Sequence, residues 1–109
     1  MTLPTTGSII SVNGIDMYYE IRGQGEPLLL LHGFTGSSAD WASMFDLAKY
    51  FQLIIPDLRG HGRSTNSASA YTFRQVALDL YDLLNFLNIK KFKGIGCSGG
   101  GNALLHMAL

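Results

Sequence analysis

The sequence predicts an α/β domain built on a mainly parallel, doubly wound sheet that opens with an antiparallel hairpin. Three observations predict it: a hairpin signal at Asn13-Gly14, short uninterrupted apolar runs such as Pro27-Leu28-Leu29-Leu30-Leu31, and amphipathic helical stretches between those runs. With 109 residues, 47% of them hydrophobic, the chain has apolar material for one core and length for one domain, so 1–109 is read as a single unit.

Taken in order, Ser8 to Arg22 contains two β-rich runs around Asn13-Gly14, residues that both tolerate the positive φ of a type I′ turn. Pro27 to Leu31, ending in His32-Gly33, has the apolar continuity of a strand buried on both faces, and Leu53-Ile54-Ile55 and Phe92 to Cys97 read the same way. The clearest helix begins at Thr72, where Thr72 and Gln75 predict a capping box ahead of Phe73, Val76, Ala77, Leu80, Leu83, Leu84 and Leu87. A weaker helix over 40–50 puts Trp41, Met44, Phe45 and Ala48 on one side, a spacing at which Trp41 reads as core ahead of the alternative that it lines a pocket, and a third starts near Gly100. Ser64 to Ala70 reads as a small-residue surface loop, and Lys90, Lys91 and Lys93 as a solvated strand entrance.

Charge narrows the function classes. Eight Lys and Arg balance eight Asp and Glu, so no long-range field gathers nucleic acid or an anionic membrane, and neither is expected as a partner. Cys97 is the one thiol, which excludes an intrachain disulfide and agrees with a reducing compartment. The start, MTLPTTGS, has no basic or apolar leader segment, and no apolar run approaches the ~20 residues of a membrane span. A cytoplasmic location is therefore expected. No phosphate-loop lysine or dinucleotide spacing is present, and no cofactor is expected.

Gly96-Cys97-Ser98-Gly99-Gly100 fits G-x-S-x-G, a pattern that a glycine-rich chain meets often by chance. Its context strengthens it, because it follows an apolar strand and opens the helical stretch Asn102 to Leu109, the strand-turn-helix setting of a nucleophile elbow. A serine on so sharp a turn takes a strained positive φ, and Gly96 and Gly100 are needed where side chains would collide as strand and helix cross. The strain would hold the Ser98 hydroxyl out at the carboxyl end of the sheet, with the Gly99 amide at a helix N-terminus beside it.

Three motifs now stand in series: His32-Gly33-Phe34-Thr35-Gly36-Ser37, Pro56-Asp57-Leu58-Arg59-Gly60-His61-Gly62-Arg63-Ser64, and the elbow. Together they resemble the serine-nucleophile branch of the α/β-hydrolases over nearly the whole chain. The resemblance implies the N-terminal portion of that fold, strands 1–5 and the elbow, with the second strand antiparallel. It implies Ser98 as catalytic nucleophile and the backbone amides of Phe34 and Gly99 as the oxyanion hole. It places His32 and His61 at structural positions that brace loops, gives Asp57 the task of organising its turn, and leaves His106 as a packed helix residue. Cys97 reads as a small buried packing group, and His32, His61 and Asp57 lack metal-ligand spacing, so no metal is expected.

The family's order is Ser, then the acid, then His, and neither later segment is present. Leu109 falls inside the helix after the elbow with no Gly cap or Pro stop, so the end reads as a cut and the intact protein is expected to be longer. The expected partner is a small ester or carbonyl compound. Lactonase, carbon–carbon hydrolase, perhydrolase and lyase chemistry are not separated by these motifs, whereas dehalogenases and epoxide hydrolases of this fold use an Asp nucleophile, which Ser98 argues against. The chain alone is expected to be nearly inactive and to associate with the missing C-terminal part or with itself through its open sheet edge. The competing reading is a non-catalytic half-domain or pseudoenzyme that binds a partner through that edge.

Overall fold

The structure, a computed structural model, describes residues 6–66 and 71–108. Asn13 and Gly14 take φ of +47° and +80°, the left-handed pair a two-residue hairpin turn demands. They join β1 (Thr6–Val12) to β2 (Ile15–Arg22), with Val12 opposite Ile15. β3 (Glu26–Leu31), β4 (Phe51–Pro56) and β5 (Lys93–Gly96) complete one sheet in the order β1-β2-β4-β3-β5. β3 runs parallel to both β4 and β5, and β2 runs antiparallel to β4.

Two cores lie on opposite faces of this sheet, and the period-2 geometry of a strand sorts the apolar runs between them. Leu29, Leu31 and Ile54 face one side, where they pack with Val76, Ala77, Leu80, Leu83 and Leu84 of α1 (Phe73–Phe86) and with Ala103 and Met107 of α2 (Gly99–Ala108). Leu28, Leu30, Leu53 and Ile55 face the other, where Trp41 covers them. A strand with neither face in water has no room for polar residues, which is why these runs are continuous.

The covering element on the Trp41 face is a 3₁₀ helix, Ser38–Lys49, where the sequence suggested an ordinary helix over 40–50. Three residues per turn bring Trp41, Met44 and Leu47 onto one line against the sheet. Its start carries a full capping box that the sequence reading missed: the Asp40 carboxylate accepts from the Ser37 amide at 3.3 Å, and the Ser37 hydroxyl accepts from the Ala39 amide. At α1 the expected box is half made. Thr72 Oγ1 accepts from the Gln75 amide at 3.1 Å, while the Gln75 side chain turns inward and donates to Asp79 Oδ1.

Two further expectations need correcting. β5 is exposed along most of its length, because among the described strands it pairs only with β3, so it does not share the burial of β3 and β4. Ser64 is buried rather than part of a surface loop: its hydroxyl donates to the Asp57 carbonyl at 2.6 Å and accepts from the Tyr18 amide at 2.9 Å. The remainder of that stretch, 67–70, lies outside the described residues.

Candidate active site

β5 ends at Gly96 and α2 begins at Gly99, so the chain reverses within two residues, and Ser98 takes φ of +51°. A left-handed serine costs about 1–3 kcal/mol and persists only where its surroundings impose it. Here the crossing of strand and helix imposes it. A Cβ on Gly100 would overlap the Leu31 carbonyl oxygen and stand 2.7 Å from that of His32, and a Cβ on Gly96 would overlap the backbone of Gly100 and Gly101. Backbone of β3 cannot move aside as a side-chain tip can. Gly100→Ala should therefore lose about 3 kcal/mol of stability, the top of the overpacking range, read as a lowered urea midpoint; an unchanged midpoint would contradict this packing.

The loop after β3 comes to the same place. Gly33 lies against the elbow, 3.5 Å separating the position of a Cβ there from Ser98 Cβ, and the Phe34 nitrogen lies 3.5 Å from the point a Cβ on Gly99 would occupy. Among the described residues, neither the Phe34 nor the Gly99 amide has a hydrogen-bond acceptor. Amides without acceptors, one in the turn that carries Ser98 and one in the loop packed against it, are the kind of donor that an oxygen developing negative charge needs.

His32 is engaged at both nitrogens. Nδ1 lies 2.7 Å from the Gly33 carbonyl, so it carries the proton and donates, and Nε2 accepts from the Leu58 amide at 2.9 Å. The ring ties the loop after β3 to the loop after β4 and has no free nitrogen for proton transfer. At 1% exposure, burial pulls its pKa below the ordinary value, aided by His61 and opposed by the Gly33 hydrogen bond and by Asp57 and Asp40. An unfolded chain takes up this proton below about pH 6.5, whereas the folded chain refuses it. His32 thus contributes stability in full above that pH, and the contribution is lost as pH falls toward the depressed folded value. The unfolding free energy should fall as the pH is lowered below about 6.5, the value of an ordinary imidazole, and His32→Gln should flatten that part of the profile.

Asp57 organises its turn, accepting from the Ser38 amide at 2.6 Å and the Arg63 amide at 3.0 Å. His61 directs Nδ1 to the Arg59 carbonyl at 2.9 Å. Cys97 is exposed, contrary to its reading as a buried packing group, because it leaves the end of β5 where that strand has no second neighbour among those described. His106 is also exposed rather than packed in a core, although its ring stacks on Phe73. Trp41 is core at 8% exposure. Among the described residues its indole Nε1 is the buried side-chain polar atom without a partner, and it borders a cleft of about 140 Å³ with His32, Gly33, Asp40 and Cys97.

Sequence reasoning missed a buried ion pair behind the site. Arg59 donates from Nε to Asp79 Oδ2 and from Nη2 to Oδ1, both at 2.9 Å, and from Nη2 to the Asn13 carbonyl. Asn13 and Gln75 side chains donate to the same carboxylate. The pair fixes the loop after β4 to α1 and to the hairpin turn. Among the described residues no cluster of His, Cys, Asp and Glu is placed to hold a metal, and no helix is long and apolar enough to cross a membrane.

Comparison with known proteins agrees with this arrangement. The model of the alpha/beta hydrolase fold matches residues 26–109. A soluble epoxide hydrolase of a Corynebacterium species is 37% identical over 98 residues, covering 89% of this chain and 34% of that protein. A fluoroacetate dehalogenase of a Burkholderia species is 33% identical over 107 residues, covering 93% and 35%. Among solved structures, the epoxide hydrolase CorEH superposes with a TM-score of 0.92 at 35% identity, over 96% of this chain and 38% of that one. The chain spans about a third of the length of the curated relatives it matches.

Proposed function

The chain belongs to the α/β-hydrolase fold family, and from that premise we propose that Ser98 is the nucleophile of a hydrolase acting on carboxylic esters or related carbonyl compounds through an acyl-enzyme. The kind of atom at the elbow carries this reading. A hydroxyl that attacks an epoxide carbon or a carbon–halogen centre forms an ether, which water does not cleave under mild conditions. A carboxylate forms an ester there, which water does cleave. A hydroxyl that attacks a carbonyl also forms an ester, so a serine completes a catalytic cycle on carbonyl substrates and stalls on the others. The similar proteins named epoxide hydrolase and dehalogenase thus share the scaffold, while this chain's nucleophile favours a different electrophile.

In the proposed cycle a base takes the Ser98 proton as Oγ bonds to the carbonyl carbon, and the oxygen that gains the electron pair rests on the Phe34 and Gly99 amides. Collapse expels the alcohol with a proton, and water then releases the acid from Ser98. Each amide is worth about 10²–10³ in rate. His32, with both nitrogens engaged, is not the base, and on the family's order of Ser, then acid, then His we place the base and its carboxylate in polypeptide outside 1–109. On this reading 1–109 is the first part of one domain, whose next strand pairs with the free edge of β5.

The test is covalent labelling of the whole protein that carries this chain. A fluorophosphonate should leave one adduct, on the peptide containing Ser98. An adduct elsewhere, or none, removes Ser98 from the mechanism, and labelling without ester turnover favours a lyase or a non-catalytic partner-binding chain.

A further inference from the structure

Acyl transfer at Ser98 uses two backbone amides and a base, yet the elbow is also ringed by aromatic side chains that none of those steps requires. Phe34 meets His61 and Tyr71 edge to face, with ring centroids 5.3 Å apart in each case. Tyr71 continues the series to His61 at 5.9 Å and to Phe73 at 6.1 Å, the latter nearly perpendicular at 85°. Phe73 then stacks on His106 at 6.1 Å and 27°. The rings come from four separate stretches: the loop after β3, the loop after β4, the entrance to α1, and α2.

Two of the rings reach the residue that follows Ser98. A Cβ on Gly99 would stand 3.7 Å from Phe34 Cδ2 and 3.7 Å from Phe73 Cε1, and 3.5 Å from the Phe34 nitrogen. The two phenyl rings therefore flank the amides that would hold the carbonyl oxygen. Within residues 1–109 Phe34 is 58% exposed and joins neither of the two cores on the faces of the sheet. Tyr71, by contrast, packs in part against the core that holds Leu29 and Leu31, which anchors the series at one point.

We propose that these rings form the acyl-side wall of the site and select substrates in which an aromatic ring is bonded directly to the reacting carbonyl. The proposal rests on the reading of Ser98 as nucleophile and deepens it. An aliphatic group of equal volume gains the same apolar contact, but a planar ring also extends the edge-to-face series, in which the positive edge of one ring meets the negative face of the next. Phe34 and Phe73 are thus specificity-determining residues, with Tyr71 holding them in register.

The experiment compares vinyl benzoate with vinyl cyclohexanecarboxylate on the whole protein that carries this chain. The leaving group is common to both, and rates are normalised to hydroxide hydrolysis. The benzoate should be favoured about ten-fold in kcat/KM, mostly through KM. Phe73→Leu should reduce that ratio about five-fold, and Phe34→Leu, which keeps the backbone amide, should do the same. Equal kcat/KM for the two esters, or a ratio unmoved in both variants, overturns the wall while leaving Ser98 as nucleophile. Should neither ester turn over, binding to the Ser98→Ala protein decides independently: calorimetry should find benzamide bound about ten-fold more tightly than cyclohexanecarboxamide. Equal binding overturns the proposal.

Discussion

Ser98→Ala should lower ester turnover by the whole protein by about 10⁶ in kcat, as removal of a triad nucleophile does elsewhere. The residue left behind is a methyl group, which can neither bond to carbon nor lose a proton, so the acyl-enzyme route closes. What remains is whatever the Phe34 and Gly99 amides do for direct attack by water, a residual effect of about 10³–10⁴ over solution. Folding should survive, since alanine removes one hydroxyl from an exposed side chain. Stopped assays with a short-chain aryl ester, alongside a denaturation curve, separate the two outcomes. Turnover within ten-fold of the parent, in a folded variant, would mean that another group performs the attack.

Asp79→Leu should cost about 3–5 kcal/mol of stability, because it leaves a guanidinium buried with no counter-ion. Arg59 is 2% exposed on its side chain and Asp79 0%, and the carboxylate is also the acceptor for Asn13 and Gln75. Losing it strands three donors together. The double replacement Arg59→Met with Asp79→Leu should recover most of the loss, since removing both charges also removes both desolvation costs. Urea midpoints for the parent, the single variant and the double variant measure this directly. A single variant within about 1 kcal/mol of the parent would show that Arg59 reaches water when its partner is gone.

The elements legible in the sequence were those whose cause is local. The Asn13-Gly14 turn follows from two backbone dihedrals, and the buried strands Leu28–Leu31 and Leu53–Ile55 follow from the exclusion of polar side chains between two cores. The elbow was legible in part for the same reason, because Gly96 meets the backbone of Gly100 and Gly101 within the turn itself, whereas the demand on Gly100 comes from the Leu31 and His32 carbonyls far away in sequence. What escaped depended on groups distant in sequence. Nothing near Arg59 announces Asp79, and nothing near Gln75 says that its amide prefers that carboxylate to the cap. Cys97 and β5 were read as buried because an apolar strand says that it belongs in a sheet and not how many neighbours it has there. The aromatic series was invisible for a related reason: Phe34, His61, Tyr71 and His106 become neighbours only when the loops at one end of the sheet are closed.

The two faces of the sheet are held by unequal devices, and this bears on how the domain opens. One face is locked by two α-helices over a long apolar stripe, the other by a single 3₁₀ helix of which only Ser38 and Trp41 are buried. Hydrogen bonds in 3₁₀ geometry are poorer than in an α-helix, so this segment is the natural first unit to detach below the global transition. Its amides would exchange with solvent while those of β3 and β4 stay protected. Trp41 is the one tryptophan in residues 1–109 and sits on this segment, so within this stretch tryptophan fluorescence follows that detachment.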